Sequence, residues 1–398
     1  MKAFTQKTSY FMRTGFCTAA GASVLVTLAI PLGAKPSSGT VSRIESVAQF
    51  YGPMPTGVTV SHQGRIFVNY PRWGDPVKFT VGELRHGRAV PFPDMNWNRR
   101  DRPQADRLVA VQSVVVDPLD RLWILDTGSV KFGPTSFGGP KLVGVDLRTN
   151  RVIKKILFPP TVALKTTYLN DIRFDLRRGA AGMAFITDSS DKGPNGIIVV
   201  DLATGRSWRR LHDHPSTKAE PKFLPFVENQ PLMKRPPKGQ GKVDYIKMGS
   251  DGIAISNDGK RLFYCPLASR HLYSVSVDAL ADQKMSDAQV AATVVDHGIK
   301  GASDGLESDD KGRVYVTDYE HNAIRRRFPD GHYETVAQDS RMLWPDTMSV
   351  ATNHYLYFTA NQLHRQPSYH YGKDLRKKPY HLFRVKIDAG PVLLRPAR

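Results

Sequence analysis

The chain has 398 residues, 40% of them hydrophobic, with 32 Gly and 28 Pro, enough for a sizeable core and many turns, which excludes a disordered or low-complexity protein. Its formal net charge of +19 favours anionic surroundings, yet the basic residues are scattered over strand-like runs such as Arg325-Arg326-Arg327 and Arg209-Arg210 and over the stretch 373–378. No aromatic-interleaved basic motif accompanies them, so nucleic acid is not an expected partner, and with only Cys17 and Cys265 no disulfide framework is possible.

Taken in chain order, residues 1–34 read as a signal peptide. Lys2, Lys7 and Arg13 give a basic start without acidic residues, Phe16 to Leu32 is mostly small and apolar, and Leu32-Gly33-Ala34 offers a cleavage site. The apolar run is interrupted by Pro31 and is marginal for crossing a bilayer. A periplasmic or secreted protein is therefore expected, in which Cys265 is the single remaining cysteine and a small buried apolar residue.

Residues 35–398 repeat one pattern: a short opening, a strand, a tight polar turn and a second strand. The openings are Thr56-Gly57-Val58, Gln112-Ser113-Val114, Asn170-Asp171-Ile172, Asp251-Gly252-Ile253, Asp304-Gly305-Leu306 and Pro345-Asp346-Thr347. The second of them leads into VVVDPLDRLWILD and the fourth into IAISNDGKRLFYC, alternating β-branched or aromatic residues with Asp/Asn/Gly turns. Two further strand-like runs follow each pair, such as GIIVVDL and RSWRRL after the third opening. Six such units of four strands, with no long helical period, predict an all-β fold, a six-bladed β-propeller with four-stranded blades forming a single domain over 35–398. Ile44 to Phe50 is the expected outer strand of the last blade, closing the ring.

At VQSVVVDPLDRLWILDTG, PKLVGVDLRTNRVIKKILFP, YLNDIRFD, the run FITDSS…GIIVVDLATGRSWRRLHDHPS, SDGIAISNDGKRLFYCPLASRHLYSV, Trp344-Pro345-Asp346 and ANQLHR, the chain resembles the major royal jelly protein and yellow family in its bacterial branch. The resemblance covers nearly all of residues 45–388 and implies a six-bladed propeller, related to gluconolactonase-like propellers. Some members of that family are linked to dopachrome conversion, while others bind small amines or have no known catalysis, so the resemblance speaks to fold more than to chemistry.

Propeller geometry locates the expected site. The long connections 93–112, 127–139, 188–195, 212–250 and 361–379 should rise on one face and wall a small-molecule pocket over the channel mouth. Its floor would be Thr56, Gln112, Asn170, Asp171, Asp251, Asp304 and Asp346, mostly oxygen donors that suit one hard divalent cation, Ca²⁺ or Mg²⁺. The gluconolactonase-like resemblance implies the same metal set: Asn170, Asp251, Asp304 and Asp346. Two positions depart from that pattern, with Thr56 where those relatives carry Glu and Asp251 where they usually carry Asn. Asp304 and Asp346 are the expected catalytic residues, and Gln112, Asp171, Trp97 and Trp344 the expected ligand-binding ones.

Asp126, Asp188 and Asp318 end second strands and read as turn residues, His212-Asp213-His214 as surface, and 234–242 as a lid or an excursion. Two functions stay open at this point. One is a metal-assisted hydrolase or isomerase, lactonase-like or dopachrome-conversion-like. The other is a non-catalytic small-molecule binder. A monomer is expected, with weak association with anionic envelope surfaces.

Overall fold

Runs of three to seven β-forming residues between Asp-, Asn- and Gly-rich turns can satisfy their backbone groups most directly by pairing antiparallel with the next run. The computed structural model describes residues 41–396, so the signal-peptide reading of 1–34 lies outside the described residues. Six four-stranded antiparallel sheets result, each built from strands consecutive in sequence except the last. Their inner strands are Val58–Val60, Val111–Val116, Leu169–Asp175, Ser250–Ile255, Leu306–Ser308 and Pro345–Val350, one for each opening. The sixth blade takes its outer strand from the other end of the domain: Glu45–Phe50 pairs with Tyr380–Lys386, with Phe50 opposite Tyr380 and Glu45 opposite Arg384. This fulfils the expectation for ring closure.

One four-stranded sheet cannot cover both of its faces, and stacking supplies the cover. An apolar cluster lies between every successive pair of blades. Trp123, Leu125 and Ile156 meet Ile172, Phe174 and Ile186 between blades two and three, for example, and Val60 and Tyr70 meet Tyr357 and Leu382 where the first and sixth blades join. Each such Leu, Ile or Val adds roughly 1.5–3 kcal/mol of burial free energy, so the ring is held all the way round.

The inner strands converge tightly around the axis. A Cβ on Gly252 would come within 2.4 Å of the Asp304 carbonyl oxygen, and one on Gly305 within 2.3 Å of the Asp346 carbonyl oxygen. Only glycine permits these approaches. At the far end of the axis the C-terminal segment crosses from blade to blade. Asp310 N–H donates to Gly390 O, Leu176 N–H to Leu394 O, and Arg395 Nε to Pro118 O.

Two features go beyond the strand-and-turn expectation. Blade four carries the one-turn helices Val277–Ala281 and Asp287–Ala291 between its third and fourth strands, capped by Ser276 and by a Ser286/Gln289 capping box. In addition, the long connection after blade three folds a small hairpin, Phe226–Val227 with Gln230–Pro231. Its Pro-rich part is tied down: Lys234 bridges Asp244, Arg235 N–H donates to Ser368 O, and Tyr371 N–H donates to Arg235 O. The top-face connections therefore pack on one another, with Phe223, Leu232, Ile246, Trp344, Leu363 and Tyr369 in one cluster.

Candidate functional site

Four of the six inner strands begin with a register shift, at Val111/Ser113, Leu169/Ile172, Ser250/Ile253 and Pro345/Met348. Each irregularity falls on an opening identified from sequence, which places Gln112, Asn170, Asp171, Asp251 and Asp346 on bulges. A bulge re-aims side chains off the regular pleat, and these residues are buried at the entry ends of the inner strands. Asp304 precedes its strand and is held by its N–H donating to Thr317 Oγ1 at 3.0 Å.

Two kinds of carboxylate share this ring. Asp171 accepts from Ser113 Oγ at 2.7 Å and from Arg173 Nη1 at 2.9 Å, and Arg173 also reaches Glu307 at 3.4 Å. Asp251, Asp304 and Asp346 have no cationic partner among the described residues and are only 4–6% exposed. Burial pushes Asp304 up to about 6, against the downward pull of hydrogen bonds from Trp344 and Asp251. Burial, and then the negative charge of Asp304, hold Asp251 and Asp346 well above the usual carboxylate range. A hydrogen bond between the two raises Asp251 and lowers Asp304, so they titrate as a pair. Asp346 receives an N–H from Asn361 Nδ2 at 2.6 Å. Such a set can give or take a proton near neutral pH.

Aromatic side chains roof the ring. Trp344 is fully buried, donates its indole N–H to Asp304 Oδ2 at 2.6 Å, and lies between Tyr319 at 4.1 Å and His364 at 5.8 Å, centroid to centroid. Its backbone is left-handed, with φ of 60°, a costly conformation for a bulky residue. On the other side Tyr168 donates to Gln112 Oε1 at 3.0 Å, accepts from Trp73 Nε1 at 2.6 Å and stacks on Phe132.

Above the Trp344 stack lies a cavity of about 620 Å³ between the Phe226–Pro231 hairpin and the 364–377 loop. His364 lines it, with Glu228, Arg235, His370 and Lys377. His364 Nε2 lies 2.8 Å from Glu228 Oε2. Hydrogen bonds from His364 and Arg365 lower Glu228 to about 2, so Glu228 is an acceptor only and Nε2 carries the proton. Burial lowers His364, and its Nδ1, the remaining acceptor, has no partner among the described residues.

The structure thus gathers Gln112, Asn170, Asp171, Asp251, Asp304 and Asp346, but separates the aromatics expected to touch a ligand. Trp97 sits on a short helix capped by Asp94 and packs with Phe67, Phe92 and Leu108 between blades one and two. There it is half-buried against the apolar core. Trp344 is a roof beam facing Asp304, with none of its surface exposed. Among the described residues no group of three His, Cys, Asp or Glu is placed to hold a metal ion. The donor chemistry of Asn170, Asp251, Asp304 and Asp346 nevertheless suits a hard cation, and the three carboxylates have no cationic partner among the described residues.

The turn readings agree with the contacts. Asp126 accepts from Val109 and Ala110 N–H and pairs with Lys141, and Asp188 accepts from Tyr168 N–H and pairs with Arg209. Cys265 is buried and free, beside the fully buried Lys300. His364 and Glu228 escaped the sequence reading. The ANQLHR stretch carries the first, but its partner lies 136 residues away on a hairpin with no motif of its own.

The family model for major royal jelly protein matches residues 109–389. Among curated relatives, the chain is 28% identical over 254 residues to protein yellow of Drosophila erecta, across 59% of this chain and 43% of that protein. It is 30% identical over 250 residues to protein yellow of Drosophila pseudoobscura pseudoobscura, across 58% and 41%. The match thus spans less than half the length of these relatives. Among solved structures, a calcium-binding regucalcin of Agrobacterium tumefaciens superposes with a TM-score of 0.52 at 14% identity, over 87% of this chain and 97% of that one. A gluconolactonase of Xanthomonas campestris gives 0.51 at 11% identity, over 87% and 89%. At such identities the superpositions speak to the fold alone.

Proposed function

Because this chain belongs to the major royal jelly protein family, we propose that it is a small-molecule-binding propeller whose ligand sits in the cavity of about 620 Å³ between the Phe226–Pro231 hairpin and the 364–377 loop. The volume suits a small cyclic or quinonoid compound. The observation that carries the reading is His364: it lines the cavity, is fixed by Glu228 through Nε2, and keeps Nδ1 without a partner. This Nδ1 is buried as well as unpartnered, so an oriented neutral imidazole of this kind would accept a hydrogen bond or a proton from a ligand hydroxyl or amine that enters beside the ring.

Acid–base turnover is the second reading, favoured by the paired titration of Asp251 and Asp304. Substrate would reach that pair only where the Trp344 roof opens. A hydrolase or isomerase would use Asp304 to move the proton. A divalent cation belongs to this reading too: three buried carboxylates lack a cationic partner, and one neighbour in fold is a calcium-binding protein. The protons that these raised carboxylates hold are the charge such an ion would replace. Export follows from the reading of residues 1–34, and mass spectrometry of the N-terminus of the fractionated protein tests it.

Binding is measured by tryptophan fluorescence against panels of lactones, quinonoid compounds and aromatic amines, beside turnover and metal content. Saturable binding weakened at least tenfold in His364→Ala supports the pocket, and failure of every panel to bind sinks it. Turnover lost in Asp304→Asn converts the binder into an enzyme. One Ca²⁺ or Mg²⁺ per chain, lost in Asp304→Asn/Asp346→Asn, adds the cofactor.

A further inference from the structure

A second cleft, of about 370 Å³, lies beside the first-blade loop and is lined by Arg72, Asp75, Arg100, Arg107 and Lys131 among others. We propose that this cleft is a binding site for a multivalent oxyanion, a phosphate or a phosphate ester.

Several contacts crowd these cations together. Arg72 Nη1 and Arg100 Nη2 both donate to the carbonyl oxygen of Val77, at 2.8 and 3.2 Å, so two guanidinium groups share one acceptor. Lys131 N–H donates to Arg72 O at 3.0 Å, which sets the lysine beside the same arginine. Lys131 does so with a left-handed backbone, φ of 54°, although it is not glycine. Arg72 itself is only 7% exposed, and its Nη2 has no hydrogen-bond partner among the described residues. An unsatisfied buried guanidinium N–H is costly, and a planar fork of donors matches an oxyanion.

The surrounding carboxylates are already taken. Both oxygens of Asp75 are held by Arg376, Asp126 pairs with Lys141, Asp106 with Lys155 and Asp101 with Arg99. Arg72, Arg100, Arg107 and Lys131 are therefore left without an ion-pair partner among the described residues. Burial, and after it Arg100 and Arg107, lower the Arg72 guanidinium to about 10, against the weaker upward pull of Asp126.

A free small-molecule phosphate and a phospholipid headgroup share this chemistry, and the test separates them. Calorimetry follows inorganic phosphate and pyrophosphate. Sedimentation follows vesicles of phosphatidylglycerol against phosphatidylcholine. The variant is Arg100→Gln/Lys131→Gln, which alters exposed side chains and leaves the carbonyl-bound Arg72 in place. The control, Arg148→Gln/Lys260→Gln, removes the same charge from two of the most exposed turn positions, 86% and 76% exposed. Saturable binding of pyrophosphate, weakened at least tenfold in the variant and unchanged in the control, supports the site. Binding confined to phosphatidylglycerol vesicles with the same pattern supports it and assigns the headgroup as the source. Equal losses in variant and control reduce the effect to net charge and overturn the proposal, as does absence of binding to every probe.

Discussion

The two ends of the inner strands solve the same problem in opposite ways. At the far end, Asp117, Asp175 and Asp309 are fully buried carboxylates, and each is matched by arginine: Asp117 by Arg121 at 2.6 Å, Asp175 by Arg177 and Arg178 at 2.9 Å, Asp309 by Arg313 at 2.6 Å. At the channel mouth, Asp251, Asp304 and Asp346 are buried too, and among the described residues their side chains have one another, an indole, an amide and the Thr347 hydroxyl, with no cation. Burial pushes Asp175 up, but the hydrogen bonds from Arg177 and Arg178 turn the balance and it ends below the usual range, whereas Asp304 ends near 6. The far end is scaffold, with charge neutralised in place. The mouth keeps its carboxylates under electrostatic strain, as functional sites do.

The largest expected effect is at the scaffold end. Asp117→Ala strands Arg121 and the buried indole N–H of Trp123, which donates to Asp117 Oδ2 at 2.8 Å. Because Arg121 is a quarter exposed, the cost lies at the lower end of the usual range for a broken buried pair, about 3 kcal/mol. Urea unfolding at pH 7 measures it, and a loss under 1 kcal/mol would mean that this pairing is not what holds the corner.

At the mouth the same kind of change acts through pH. Asp304 is raised in the folded protein to about 6, against roughly 3.9 unfolded. Its protonated form therefore contributes stability that is complete below about pH 4 and is lost as pH rises through about 6, in total roughly 2–3 kcal/mol. Asp304→Asn carries no such term. The stability of the variant relative to the parent should grow by that amount between pH 4 and pH 7. Paired urea titrations read the difference, which cancels the histidines titrating in the same range. A difference constant with pH would remove the strain from Asp304.

The contrast was half legible in the sequence. Six openings, four strands each and the N-terminal closing strand are local alternations of strand and turn residues, and they stand in the structure where they were read. The pairs Asp117–Arg121 and Asp309–Arg313 also lie within five residues of chain, but turn residues alone do not mark them as ion pairs, and it is the structure that shows them. The ring of openings was legible, since propeller geometry carries every inner-strand start to one face. Long loops were not. Whether Trp97 or Trp344 faces ligand, core or carboxylate depends on how the 93–112 and 361–379 connections fold over the blades, and pairs such as Glu228–His364 or Arg72–Lys131 join segments with no common motif.

The smallest effect sharpens the role of the roof. Phe in place of Trp344 keeps an aromatic ring between Tyr319 and His364 but removes the N–H that stabilises the Asp304 carboxylate. With burial unopposed by that donor, Asp304 should rise above about 6, by about one unit, the effect of one hydrogen bond to a charged group. In Trp344→Phe the pH window of the paired stability measurement therefore moves upward, while Asp304→Asn in the same background shows no window at all. A window that stays at about 6 would assign the charge of Asp304 to Asp251 alone. Trp344 would then be only a packing residue, and access to the ring would have to be sought on the Tyr168 side, where Gln112 meets Trp73 and Phe132 through the same tyrosine.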